Sequence, residues 1–303
     1  LGTSTVTATA TDAAGNTANC TFTVTVVDDV PPVAVCTDFT VALDSSGAIC
    51  VLPTLIGNAN GDNCAVDTAF VSQCDFDCSN VGANTVVVTV VDDAGNSTTC
   101  TSVVTVLDNQ GPTALCLDVT VSLDANGQVV VTAADIDDFS IDNCDVAGST
   151  IDNGSLDCSD IGANTVVLTV TDVNGNSSTC AATVVVQDTI APTISCNVQG
   201  APNGPNGNNL NPEDAVLTND PNVCGAAFTY ENESNDNCGT DTVTQTTGLA
   251  SGSVFPVGVT VNTFVVSDGH GNTASCSFTV TVTDIQAPVV TCPANITVGT
   301  STT

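Results

Sequence analysis

Apolar and polar residues alternate along much of this chain, and the alternation has a period of two. Residues 21–27 read Thr-Phe-Thr-Val-Thr-Val-Val and residues 85–91 read Thr-Val-Val-Val-Thr-Val-Val, with 165–171 and 277–283 alike. β-Branched side chains at that period suit a pleated, half-buried surface, so each run predicts a strand. Between paired runs stands Asp-x-x-Gly-Asn, which predicts a tight hairpin turn with Gly and Asn supplying positive φ. No window carries a 3.6-residue period, so the expected class is all-β.

The same punctuation recurs four times. Asp12, Gly15, Asn16, Cys20, Asp28, Pro32 and Cys36 reappear at identical internal spacing in Asp92–Cys116, Asp172–Cys196 and Asp268–Cys292, offset by 80, 80 and 96 residues. A fixed period means an array of similar units. Within 111–190, strands are expected at 115–123, 129–133, in short pieces through Leu156, and in the long hairpin 164–187. About seven short strands in such a length point to an immunoglobulin-like sandwich. The expected organisation is a partial repeat 1–30 (last two strands), full repeats 31–110, 111–190 and 191–286, and a partial repeat 287–303 (first strand). These tandem immunoglobulin-like β-sandwich domains are expected in a linear array. Pro32, Pro112, Pro192 and Pro288 mark the boundaries, and the Asn/Gly/Pro-rich insertion 201–212 is expected to be a surface loop. The truncated ends read as a window on a longer protein.

Charge narrows the function. The chain has 33 acidic residues and no Lys or Arg, for a net charge of −33. Phosphate contacts, and hence nucleic-acid binding, are excluded, as are Schiff bases, a P-loop lysine and Lys–Asn isopeptide cross-links. The self-repulsion calls for spacing, solvent or bound cations. No signal peptide is visible, and no apolar run approaches the ~20 residues of a membrane span.

Sixteen cysteines without a Cys-x-x-Cys pair indicate disulfides and an oxidising compartment. Three recur in each full repeat: an early one (Cys36, Cys116, Cys196), one in Asp-Asn-Cys (Cys64, Cys144, Cys238) and one after the hairpin (Cys100, Cys180, Cys276). A fourth varies in place, as Cys158 or Cys224, and the first full repeat has Cys50, Cys74 and Cys78 instead. The Asp-Asn-Cys loop and the hairpin are expected at one end of each sandwich, so the preferred pairs are Cys64–Cys100, Cys144–Cys180 and Cys238–Cys276. The early cysteine then takes the variable one, in its own repeat or across the junction.

Phe255-Pro-Val-Gly258, residues 265–272, Cys276-Ser-Phe-Thr-Val and Ala287-Pro288 with Cys292–Val298 resemble the hyalin repeat (HYR) domain. The first two full repeats resemble the longer variant in giant secreted adhesins of Flavobacterium-like bacteria, through residues 78–85 (Cys-Ser-Asn-Val-Gly-Ala-Asn-Thr) and Leu123-Asp-Ala-Asn-Gly127. The resemblance spans nearly the whole chain. It implies an extracellular immunoglobulin-like module used in adhesion and as a spacer.

The loop before the third strand, the last hairpin and the incoming linker should meet at one end of a sandwich. Three carboxylates then converge per junction: Asp28, Asp62 and Asp92; Asp108, Asp142 and Asp172; Asp188, Asp236 and Asp268. Clustered carboxylates suit Ca²⁺, which accepts six to eight oxygens in irregular geometry. The linker around Asp28 also looks like cadherin calcium linkers, without their full motif. The alternative is that these residues only cap turns. His270 sits where Ala14, Ala94 and Asn174 stand in the other hairpins, so it reads as a solvated turn residue. Thr68, Thr189 and Thr242 follow Asp and precede aliphatic residues, as in the O-glycan acceptors of Bacteroidetes-type bacteria.

Carboxylates are nearly the sole general bases, and one Tyr with no Trp leaves no aromatic sugar platform, so no enzyme is expected. The reading is a structural or adhesive extracellular filament or stalk on the cell surface, stapled by disulfides and stiffened by Ca²⁺. Its partners would be neighbouring repeats, identical chains in a fibre, or a glycan or surface ligand. The alternative is a carbohydrate-binding or accessory module of a large secreted enzyme.

Overall fold

In the computed structural model, which describes residues 1–59, 61–197, 214–239 and 241–299, strands dominate and the fold is all-β. The insertion 201–212 lies outside the described residues. Contacts group into two compact units. One comprises Leu1–Leu117, Ala133–Asp152 and Val167–Ala182; the other comprises Asp118–Thr132, Asn153–Val166 and Thr183–Thr303.

The first unit contains a complete sandwich. Its main sheet runs Phe39–Ala42, Ser97–Leu107, Gly82–Asp92, Val66–Val71, the first pair parallel and the others antiparallel. Ala34–Cys36 pairs with Gly57–Ala59, and Ala48–Cys50 pairs with Asp75–Asp77. The period-two pattern decides the faces: Val86, Val88 and Val90 are fully buried, as are Val104 and Val106 on the partner strand. Leu43, Val51, Ile56 and Phe76 close the core from the other side. Burial of each such side chain is worth about 1.5–3 kcal/mol. The α-turn Pro53–Ile56 starts on a proline and buries Ile56. In the same unit, Gly2–Thr11 and Thr17–Val26 form a hairpin in unbroken register, exposed along its whole length. Val146–Ile151 pairs there with the outer end of Gly162–Asp172.

The second unit repeats the plan with a different core. Its main sheet runs Asp214–Thr218, Thr273–Thr283, Gly258–Ser267, Thr242–Thr247. Thr193–Asn197 pairs with Glu231–Asn235, and Gly225–Ala227 with Val254–Pro256. Aromatic side chains take the place that valines hold in the first unit: Phe228, Tyr230, Phe255, Phe264 and Phe278 fill the centre. Tyr230 and Phe278 rings meet edge to face at 4.9 Å, and the Tyr230 hydroxyl donates to the Leu249 carbonyl at 2.7 Å. This unit also holds the parallel pairing of Val119–Ser122 with the end of Ser177–Gln187, and the pair Gln128–Val130 with Ser155–Asp157. The first strand expected within 287–303 is not formed by residues 287–299, which are exposed and so bury no apolar face against a sheet.

A candidate cation site at the repeat junctions

Each hairpin turn is built around its first aspartate. Asp92 Oδ1 accepts from the Ala94 and Asn96 amides at 2.9 and 2.7 Å, and its Oδ2 from Asn96 Nδ2 at 2.8 Å. Asp172 and Asp268 accept the equivalent bonds from Asn176 and Asn272. The expectation that Asn supplies positive φ is overturned: Gly95 and Gly175 take that role, and none of Asn16, Asn96, Asn176 and Asn272 does. Instead, the Asn amide reaches the linker. Asn96, Asn176 and Asn272 donate to the backbone carbonyls of Asp28, Asp108 and Asp188 at 3.2, 3.2 and 3.0 Å.

A second asparagine completes the arrangement. In Asp-Asn-Cys, the Asn63, Asn143 and Asn237 amides donate to Oδ1 of Asp28, Asp108 and Asp188 at 2.9, 3.5 and 3.3 Å. The aspartate before each uses Oδ2 to accept the cysteine amide, at 2.9 Å for Asp62, 2.7 Å for Asp142 and 2.9 Å for Asp236. Its Oδ1 is buried with no hydrogen-bond partner in all three cases. Oδ2 of Asp28 and of Asp188 is also buried without one. Six asparagines thus orient the carboxylates, a role that residue type alone did not reveal; their fixed offset from each Asp was the available signal.

Two of the three predicted trios come together as single groups. One oxygen from each of Asp28, Asp62 and Asp92 lies within 4.8 Å of the others, and the same is true of Asp108, Asp142 and Asp172. At the third junction Asp188 groups with Asp236 and the disulfide-bonded Cys238, and separately with Asp268 and His270, in overlapping sets. His270 Nδ1 stands 3.9 Å from Asp188 Oδ2, so the residue read as a solvated turn position borders the cluster. The Asn63 amide and then the Cys64 thiol hold Asp28 below the usual carboxylate range, while hydrogen bonding to Asp28 pushes the Cys64 thiol up. Burial raises Asp172 and Asp268, but bonds from Asn176, Asn272 and the turn amides outweigh it, so both end lowered.

The preferred disulfides are not the ones formed. The structure bonds Cys36–Cys100, Cys116–Cys180 and Cys196–Cys276, pairing the early cysteine with the one after the hairpin. Cys144 bonds to Cys78 and Cys238 to Cys158, in each case across a junction, and Cys64 is an exposed thiol. The reason is distance along the strand. Cys100 lies opposite Val88, four residues past Asn96, and about 3.3 Å per residue carries it some 13 Å from the turn where Asp-Asn-Cys sits.

The crossing disulfides also explain a motif. Asp77 and Asn80 cap a 3₁₀ turn, Cys78–Asn80, that presents Cys78 beside Gly47. A Cβ at Gly47 would lie 2.5 Å from the Asn143 carbonyl oxygen and 2.9 Å from Cys78 Sγ. Gly127 stands in the same relation to Asn237 and Cys158, at 2.9 and 2.5 Å. Both glycines are required by close approach as well as by positive φ. Thr68, Thr189 and Thr242 are all exposed.

Antiparallel and parallel strands in sandwich-like sheets define an all-β protein. The HYR domain family model matches residues 1–26 and 212–282. A hyalin of Strongylocentrotus purpuratus is 29% identical over an alignment of 318 residues, covering 98% of this chain and 25% of the relative. A hyalin of Lytechinus variegatus is 30% identical over 141 residues, covering 45% of this chain and 24% of the relative. These matches support a hyalin repeat. The chain spans about a quarter of the length of these relatives. Among solved structures, a protocadherin gammaB7 EC3-6 cis-dimer structure covers 93% of this chain and 85% of its own, at 14% identity and TM-score 0.33. Mouse cadherin-23 EC22-24 covers 85% and 100%, at 11% identity and TM-score 0.31. No helix among the described residues is long and apolar enough to cross a membrane.

Proposed function

We propose that this chain is a non-catalytic structural and adhesive segment of an extracellular protein, whose repeats are locked by disulfides and by Ca²⁺ held at the acidic junctions. One observation carries the cation: Asp62 Oδ1, Asp142 Oδ1 and Asp236 Oδ1 are the same atom in three repeats, and each is buried with no hydrogen-bond partner. Turn capping accounts for Asp92, Asp172 and Asp268, whose oxygens are used by the turn, but leaves these three unexplained. A buried anionic oxygen without a donor is costly, and a repeated one implies a ligand. Hard oxygens in irregular array, with Asn carbonyls and linker carbonyls nearby, suit Ca²⁺ better than Mg²⁺ or Zn²⁺. Bound there, the ion would supply charge neutralisation and hold the linker, loop and hairpin carboxylates together.

The five disulfides support an oxidising compartment and hence a secreted or surface location. In this reading residues 31–110, 111–190 and 191–286 are successive domains of a stalk or filament, and Thr68, Thr189 and Thr242 are accessible acceptors for O-glycans. The relatives found are sea-urchin proteins and lend no support to a bacterial source.

A thermal melt in millimolar Ca²⁺ and again in excess chelator tests the reading. Ligand at a hundred times its Kd stabilises by about 2.7 kcal/mol per site, so the midpoint should rise clearly with Ca²⁺ and not with Mg²⁺. An unchanged midpoint would sink the cation, leaving an apo disulfide-linked array.

A further inference from the structure

Two thiols in the first full repeat belong to neither a disulfide nor a junction. Cys50 ends the strand Ala48–Cys50, opposite Asp75, and the Val51 amide donates to the Cys74 carbonyl at 2.7 Å. The two sulfurs and a carboxylate oxygen of Asp75 all lie within 4.8 Å of one another, with Cys50 exposed and Cys74 half-buried. The Cys74 thiol is pushed up to about 11, first by its hydrogen bond with Cys50.

The other repeats supply an internal control. The same ladder aligns Val130 with Ser155 and joins the Val131 amide to the Gly154 carbonyl at 2.7 Å. In the third full repeat it aligns Ala227 with Val254 and joins the Phe228 amide to the Ser253 carbonyl at 3.2 Å. The two positions therefore hold Cys and Cys, Val and Gly, or Ala and Ser. The cysteines occur together or not at all, as partners would.

We propose that Cys50 and Cys74 form a sixth, exchangeable disulfide that can be opened and closed by small thiols and disulfides in solution. A low-molecular-weight disulfide such as oxidised glutathione is the oxidant. One cysteine thiolate attacks it, forms a mixed disulfide and expels one glutathione thiolate; the other cysteine then attacks the protein sulfur and expels the second. Both protein thiol protons and two electrons leave with two molecules of reduced glutathione. Cysteines in the other five bonds are buried or half-buried, whereas Cys50 is open to attack, so this bond should be the first to be reduced. Its position gives it a consequence. Ala48–Cys50 and Asp75–Asp77 flank Gly47 and Cys78, the surface on which the Asn143 loop rests. Closing the bond would stiffen one side of the second junction.

The full chain is equilibrated with oxidised glutathione, alkylated without reductant and digested with an Asp-directed protease, since no tryptic site exists. The expected result is a covalent link between the peptides holding Cys50 and Cys74, with neither alkylated. In Cys50→Ala, Cys74 alone should gain a label while the five other bonds persist. The double variant Cys50→Val, Cys74→Gly, which copies the second repeat, should lose only the first step of a limiting-dithiol titration. Alkylation of both thiols in the native chain would overturn the proposal, as would linkage of either one to Cys20, Cys64, Cys224 or Cys292. Protection of both by zinc alone, with no loss of two hydrogens' mass, would assign the pair to a metal instead.

Discussion

The first and second junctions share three carboxylates in the same geometry yet are held differently. At the second, Cys78–Cys144 ties the loop of Asp142 to the preceding repeat, and Asp108 is buried to 8% exposure with Asn174 on its Oδ2. At the first, Cys64 has no bonded partner, Ala94 stands in place of Asn174, and Asp28 is only half-buried, with Oδ2 unpartnered. Charge geometry is thus set by backbone, turns and asparagines, while the covalent clamp is an addition to it. The clamp should contribute preorganisation, because it fixes Asp142 before any ion arrives.

Removing the clamp should have the largest effect. Cys78 and Cys144 are 66 residues apart, for which loop entropy predicts about 4 kcal/mol of stabilisation. Cys144→Ser should lower the denaturation midpoint by that order and weaken Ca²⁺ binding at the second junction alone. Cys64→Ser should do neither. Equal responses from the two variants would show that the junctions do not differ in this way.

How much of this was visible beforehand follows the same division. The alternation of Thr85–Val91 gave the strand and its buried face, and the offsets of Asp28, Asp62 and Asp92 gave the cluster, because both depend on local periodicity and on the fixed end of a sandwich to which hairpin, loop and linker return. The pairing of Cys144 with Cys78 was not legible as a preference. It depends on where along the strand Cys180 sits and on how closely Gly47 lets the neighbouring loop approach, which are three-dimensional distances. The aromatic core around Tyr230 was hidden by averaging nine Phe and one Tyr over the whole chain, when half of them gather in one core.

Charge removal comes next in size. Asp142→Asn keeps an oxygen to accept the Cys144 amide but removes the anion, so stability in chelator should hold or rise slightly. The Ca²⁺-dependent increment, about 2.7 kcal/mol at a hundredfold excess over Kd, should vanish for that site. Asp62→Asn should remove the corresponding increment at the first junction. Calorimetric titration of the two variants should each show one site fewer than the parent, and an unchanged count in either would exclude that carboxylate.

Acid should affect both junctions through their hydrogen bonds. The folded pKa values of Asp28 and Asp172 are depressed, by amide and thiol donors in one and by turn donors that outweigh burial in the other. A depressed value means stability that is fully present above the unfolded carboxylate value of about 3.9 and lost as pH falls through the lower folded value. Melts in chelator should therefore be flat on this account from pH 7 to about 5 and decline below about 4. A decline centred near pH 6 would point to another group.

The smallest effect is the most discriminating, because it concerns one hydrogen bond. Asn174 Nδ2 donates to Asp108 Oδ2 at 2.7 Å, whereas Ala94 leaves the matching oxygen of Asp28 without a donor. An amide on that oxygen competes with a cation for the same lone pairs, so Asn174 stabilises the apo junction at the expense of binding. Asn174→Ala should raise Ca²⁺ affinity at the second junction and lower its chelator-state stability by about 1 kcal/mol, the usual worth of one hydrogen bond. Ala94→Asn should do the reverse at the first, weakening binding by about fivefold for the same energy. If both substitutions moved affinity in one direction, position 94/174 would be acting through packing and not through the shared oxygen.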